Sequence, residues 1–185
     1  MRGPDRFLAP FCIAALLLAV MLSPIMRTVQ AQDDRGYKVR VGDPVPDFSL
    51  LDLEGTSWSR QDLLGSVYIL QFTASWCGVC RKEMPHLEER VWQRFKGTGF
   101  QLLGVDLDEP AAKVAGLVED TGISYPVCLD EGGVLFSRIT VPKAGVTRNV
   151  LVDRDGNIAF LTRLFDETEF EAMIAAVGKL LEDQE

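Results

Sequence analysis

Two cysteines separated by two residues carry the strongest chemical signal in this 185-residue chain. They are Cys77 and Cys80, in the stretch Trp76-Cys77-Gly78-Val79-Cys80. That spacing permits a short-range disulfide and its reversible opening. The thiolate, not the thiol, attacks a disulfide, so the useful question is what would ionise one of the two sulfurs. The flanking sequence supplies an answer. Val67-Tyr68-Ile69-Leu70-Gln71-Phe72 is a nearly continuous apolar run, the pattern of a central strand buried on both faces. From Gly78 to Phe95 the period becomes helical, with Met84, Leu87, Val91 and Phe95 three or four residues apart. Cys77 therefore falls where a helix begins. Unpaired N–H groups and the positive end of the helix dipole favour a thiolate there. Cys77 is expected to attack, and Cys80, one turn further in, to resolve the mixed disulfide. Trp76 is expected beside the sulfurs, on the surface that meets substrate. The bland alternatives are a structural disulfide or half a zinc site. A four-ligand zinc site would require Cys77, Cys80, Cys128 and His86 to converge. No metal and no cofactor are expected.

The remaining elements must place this pair. Val41-Gly42-Asp43-Pro44-Val45-Pro46-Asp47-Phe48-Ser49-Leu50 reads as a loop running into a strand, and Asp52-Leu53-Glu54-Gly55 as a turn. Phe100–Asp106 reads as a second buried strand, and Ala111–Glu119 as a helix ended by Thr121-Gly122. Val150–Asp153 and Ile158–Leu161 flank Arg154-Asp155-Gly156-Asn157, a β-hairpin turn. Glu167–Leu181 is a closing amphipathic helix, with Phe170, Ile174, Val177 and Leu181 on one face. This order predicts an α/β fold: a central mixed β-sheet with helices on both faces.

At the N-terminus, Arg2 and Arg6 precede an apolar run from Phe7 to about Met26, followed by Val29-Gln30-Ala31. Residues 1–31 are expected to be a secretory signal peptide cut after Ala31; the rival reading is an uncleaved membrane anchor. Residues 32–40 are expected to be a flexible lead-in, and residues 41–185 one domain. The domain is then extracytoplasmic, in the periplasm or an equivalent space, where disulfides persist. Cys12 lies inside the signal and has no part in the chemistry. The formal net charge of −8 disfavours nucleic acid and anionic lipid surfaces as partners. A membrane contact is expected only if the N-terminal segment stays uncleaved, and the domain is expected to be a monomer.

Residues from about Val41 to Glu182 resemble the TlpA/ResA-like thiol–disulfide oxidoreductases of the thioredoxin superfamily. The resemblance rests on Gly42-Asp43-Pro44-Val45-Pro46-Asp47-Phe48, on Phe72-Thr73-Ala74-Ser75-Trp76-Cys77-Gly78-Val79-Cys80 running into Arg81-Lys82-Glu83-Met84-Pro85, and on Val150-Leu151-Val152-Asp153-Arg154-Asp155-Gly156. The Trp-Cys-x-x-Cys-x-x-Glu-x-Pro piece is the specific one; the first and last are shared with peroxiredoxins. The resemblance implies a thioredoxin-like fold, an extracytoplasmic reductant of protein disulfides, for example in cytochrome c maturation, and a membrane thiol donor that recharges it. It also implies that Glu83 lies near the dithiol and influences its ionisation. Pro85 would kink the helix, as is common in this fold.

Two positions depart from the pattern. Thioredoxin carries a buried aspartate six residues before its first cysteine, and here that position is Gln71. The family's cis-proline should stand six residues before Asp153, and here Thr147 stands there, after Val146. A cis bond before threonine is costly, so the Val146–Thr147 bond is expected to be trans. The loop that carries Val146 and Thr147, both candidate substrate-binding residues, should still face the dithiol, and the Val146 backbone should still be able to pair with an extended substrate.

The same residues admit other readings. A peroxiredoxin would need proline and threonine where Leu70 and Ala74 stand. A copper-handling metallochaperone would use the two thiols with His86. A dithiol oxidant would share every residue named and differ only in reduction potential. His86 is expected to face solvent, and Cys128, in Tyr125-Pro126-Val127-Cys128-Leu129, to be a buried inert thiol.

Overall fold

A computed structural model describes residues 35–182 of the chain. The expected signal segment 1–31, Cys12 and the start of the lead-in lie outside the described residues. Seven strands form one mixed sheet: β1 (Ser49–Asp52), β2 (Ser57–Ser59), β3 (Val67–Thr73), β4 (Phe100–Leu107), β5 (Val127–Asp130), β6 (Arg148–Val152) and β7 (Ile158–Leu161). Their order across the sheet is β2-β1-β5-β4-β3-β6-β7. β3, β4 and β5 run parallel; β6 is antiparallel to β3, and β7 to β6. The helices are α1 (Gly78–Leu87), α2 (Ala111–Thr121), α3 (Val134–Ile139) and α4 (Glu167–Glu182). Among the described residues, no helix is long and apolar enough to cross a membrane.

All seven residues of β3 are buried, Gln71 and Thr73 included, as its nearly continuous apolar run predicts for a central strand. Alternation splits them between two cores. Val67 and Ile69 join Met84 and Leu87 of α1, Val114 and Leu117 of α2, and Phe170 and Ile174 of α4. Tyr68, Leu70 and Phe72 join Leu135, Phe136 and Ile139 of α3 on the opposite face. Helices thus cover both faces of a mixed sheet.

Several details go beyond the sequence reading or correct it. α1 does not run regularly to Phe95. It passes into a π-helical turn at Glu88–Trp92 and ends in one more turn, Gln93–Phe95. Pro85 has no N–H to donate, and the Glu88 N–H is shared between Met84 O and Pro85 O, so the expected irregularity falls one turn after the proline. The hairpin turn forms as expected: Asp153 Oδ1 accepts from the N–H of Asp155 and of Asn157, and Gly156 takes φ +82. An added Cβ at Gly156 would lie 3.0 Å from Arg60 and 3.1 Å from Leu64. Residues 35–40 belong to the expected flexible lead-in but are docked. Tyr37 is buried, bridges to Thr140 and stacks under the Arg148 guanidinium at 4.4 Å. An aromatic ring in a polar stretch can supply its own anchor, which composition alone conceals.

The short helix α3 was not foreseen, because six residues hold too little periodicity to read. It is held instead by a side chain from β5. Asp130 accepts from the N–H of Leu135 at 2.9 Å and of Phe136 at 2.8 Å. Phe136 then packs on Phe72 of β3, ring centroids 5.5 Å apart. Asp130→Ala should therefore destabilise the domain by about 1–3 kcal/mol, read as a lower denaturant midpoint. An unchanged midpoint would contradict this account of α3.

Candidate active site

Cys77 is the N-cap of α1, and it forms a disulfide with Cys80. The Cys80 N–H donates to Cys77 Sγ at 3.2 Å, so a helix-terminal amide points at the sulfur expected to attack. The two sulfurs are unequal in access. Cys77 is 8% exposed and Cys80 is fully buried, while Trp76 is 67% exposed beside them. Val79 is also exposed. The apolar rim around Cys77 is the kind of surface that an unfolded or extended chain can cover.

The turn before Cys77 is fixed from below by Glu109. Its carboxylate accepts from the Ser75 N–H and from the Ser75 hydroxyl, at 2.5 and 2.7 Å. Asp106, near the end of β4, is buried beside it, with no hydrogen bond of ordinary geometry to either of its oxygens among the described residues. Burial first, and then the charge of Glu109, push the Asp106 carboxyl up to about 7. The sequence reading did not find these two residues. The available signal was an aspartate closing an otherwise apolar strand.

Glu83 is buried on α1, one turn beyond Cys80. Asn149 of β6 donates its side-chain amide to Glu83 Oε1 at 2.7 Å and also bonds the Thr162 hydroxyl at 2.9 Å. Glu83 Oε2 has no hydrogen-bond partner among the described residues. Burial pushes the Glu83 carboxyl up to about 7; the Asn149 bond opposes the shift and the Glu169 charge adds to it. Gln71, at the position of thioredoxin's aspartate, pairs with Asn149 across β3 and β6. Its side-chain oxygen accepts from the Tyr125 hydroxyl at 3.3 Å. Sequence reasoning found Glu83 and Gln71. It missed Asn149, Thr162 and Tyr125, whose contribution depends on strand register and a distant hydroxyl.

Thr147 lies opposite the dithiol. Its Oγ1 is 3.1 Å from Cys77 Sγ and 3.2 Å from Cys80 Sγ. The Val146–Thr147 bond is trans, as its cost predicts. The Val146 side chain is buried, and its backbone N–H and C=O have no main-chain partner among the described residues.

The other sequence candidates do not join the site. His86 is not the solvent-facing residue expected: it is half-buried, stacked at 4.9 Å on Phe165, just before α4, and edge-on to Phe170 of α4. Cys128 is a buried free thiol, and burial pushes it up to about 12, far from a reactive thiolate. No cluster of three metal-ligating side chains forms among the described residues. Leu70 and Ala74, both buried, stand where a peroxide-activating proline and threonine would be needed.

Comparisons with known proteins agree with this geometry. The profile of the AhpC/TSA family matches residues 41–161. The thiol–disulfide oxidoreductase ResA of Bacillus thuringiensis is 31% identical over 121 residues, covering 65% of this chain and 68% of the relative. The ResA of Geobacillus thermodenitrificans is 31% identical over 158 residues, covering 85% and 87%. Among solved structures, a candidate protein disulfide isomerase from Bacteroides thetaiotaomicron is 45% identical. It superposes with a TM-score of 0.77 over 80% of this chain and 93% of its own. A thiol:disulfide interchange protein of the thioredoxin family from Chlorobium tepidum is 26% identical, with a TM-score of 0.63 over 77% and 98%. With its thioredoxin-like fold and its Cys77–Cys80 pair, the chain belongs to the AhpC/TSA family and, within it, to the ResA-like thiol–disulfide oxidoreductases.

Proposed function

We propose that this protein is an extracytoplasmic reductant of protein disulfides, delivered by its N-terminal signal and recharged by a membrane thiol donor. The observation that carries the reading is the helix-terminal amide of Cys80 directed at Cys77 Sγ, with Cys80 itself out of reach of solvent. Such a pair has one attacker and one resolver. The Cys77 thiolate attacks one sulfur of the substrate disulfide. That S–S bond breaks, a Cys77–substrate disulfide forms, and the departing substrate sulfur takes a proton. Cys80 then gives up its proton and attacks Cys77 Sγ, releasing the second substrate sulfur as a thiol. The substrate gains two electrons, and the enzyme keeps the Cys77–Cys80 disulfide.

Glu83 is assigned the proton step. A buried carboxyl near 7 can hold a proton at one stage and release it at the next without leaving the neutral range. Trp76, Val146 and Thr147 are assigned to substrate docking. Trp76 offers an exposed ring, and the Val146 backbone N–H and C=O, without a main-chain partner among the described residues, are assigned to pair with an extended chain. Membrane contact is confined to an uncleaved N-terminal segment, and the domain works as a monomer.

The direction of electron flow depends on the Cys77–Cys80 reduction potential. Equilibration of the purified protein with glutathione buffers measures it. A value clearly below that of the glutathione pool, together with turnover of insulin disulfides, is expected. A strongly oxidising value would overturn the reductant assignment in favour of an oxidant using the same residues.

A further inference from the structure

Thr147 makes two contacts that docking does not require. Its hydroxyl is within hydrogen-bond reach of both sulfurs, at 3.1 and 3.2 Å, in a residue only 4% exposed. No other hydrogen bond of this hydroxyl is seen among the described residues. A hydroxyl carries one proton and two lone pairs, so it can donate to one sulfur and accept from the other, but cannot donate to both. While the disulfide is closed, both sulfurs are weak acceptors and little depends on the choice. Reduction changes this. Two electrons open the S–S bond, and the singly protonated dithiol then has one thiolate and one thiol. The helix decides which is which, because the Cys80 N–H points at Cys77 Sγ.

We propose that the Thr147 hydroxyl is a catalytic group of this dithiol: it donates to the Cys77 thiolate and accepts from the Cys80 thiol. The chain Cys80 S–H to Thr147 O–H to Cys77 S⁻ places the negative charge on the accessible sulfur and keeps the remaining proton on the buried one. The proline that the family motif places here has no hydroxyl to offer, so this arrangement belongs to the present chain. Stabilising the thiolate stabilises the reduced enzyme, which makes the disulfide more oxidising than the same motif without the hydroxyl. The inference rests on the reading of Cys77 as attacker.

The test compares wild type with Thr147→Val, which keeps the shape and removes the hydroxyl, and Thr147→Ser, which keeps the hydroxyl. The Cys77 pKa is read from the pH dependence of alkylation of the reduced protein, and the reduction potential from glutathione equilibration. Thr147→Val should raise the Cys77 pKa by about one unit, leaving about tenfold less thiolate at a pH below it. The potential should fall by about 30 mV for each tenfold weakening of the thiolate form. Thr147→Ser should stay near wild type in both. A valine variant with the wild-type pKa, or a serine variant shifted as far as valine, would overturn the inference while leaving Cys77 as the attacker. A change in KM for a peptide disulfide with an unmoved pKa would likewise reduce Thr147 to a docking residue. Wild-type Cys77 alkylating no faster than an ordinary thiol would overturn both readings together.

Discussion

Cys77→Ser is expected to abolish disulfide turnover, by on the order of 10⁴-fold or more, because no second thiol among the described residues can take its place. Cys80 is fully buried and Cys128 is a buried thiol held in its protonated form, so neither can reach an exogenous disulfide. Cys80→Ser should behave differently. Cys77 keeps its place at the helix N-terminus and can still attack, but nothing then releases the substrate. The expected product is a covalent Cys77–substrate adduct that survives denaturing electrophoresis and disappears on addition of a small thiol. If Cys80→Ser turned over normally, or if Cys77→Ser trapped substrate through Cys80, the assignment of attacker and resolver would be reversed.

The second large effect concerns Glu83. Its carboxyl takes up protons more readily in the folded protein than in the unfolded chain, with a value of about 7 against an ordinary 4.5. The folded state therefore binds more protons between those values, and stability falls as pH rises through that window. Below 4.5 the group is neutral in both states and costs nothing. Above about 7 the full cost applies, on the order of 3 kcal/mol. Glu83→Gln removes the charge while its side-chain oxygen can still accept from Asn149. The variant should be more stable than wild type at pH 8, and the difference should close as pH drops toward 4.5, as measured by denaturant unfolding across the range. Turnover should fall about 10²-fold and lose its limb near neutral pH. A stability difference independent of pH, with an unaltered rate profile, would show that Glu83 is neither buried-neutral nor part of the proton step.

What the sequence disclosed and what it hid divide along physical lines. The dithiol, β3 and α1 were legible because each rests on local information: a two-residue spacing, a nearly continuous apolar run of six, a three-to-four-residue period. Glu83 was legible as a position in a motif, but not as a group near neutrality, because its shift comes from burial under neighbours far away in the chain. The Asn149–Thr162 support and the Glu109–Ser75 clamp were hidden for the same reason. Asn149 reaches Glu83 across 66 residues, and Ser75 reaches Glu109 across 34. Tyr37 shows the opposite error, since a polar neighbourhood suggested a loose segment where one ring and its contacts hold the chain down. Counting back from Asp153 put Thr147 in the loop that faces the dithiol, a long inference that succeeded because β6, which follows it, keeps regular register with β3.

The burial of β3 on both faces also separates the two halves of the site by lifetime. Amides at the centre of a covered sheet open only in the rarest, most global fluctuations, whereas connecting segments open often and locally. Cys77 follows β3 after three residues, Ala74, Ser75 and Trp76, and caps α1, but Thr147 is the last residue of the segment, residues 140–147, that joins α3 to β6. Sub-global fluctuations that lift this loop would take the threonine side away and leave the capped cysteine where it is. The nucleophile is thus tied to a strand covered on both faces, and the threonine opposite it to a connecting segment, so local opening would uncouple the two faces of the site before it disturbed the core.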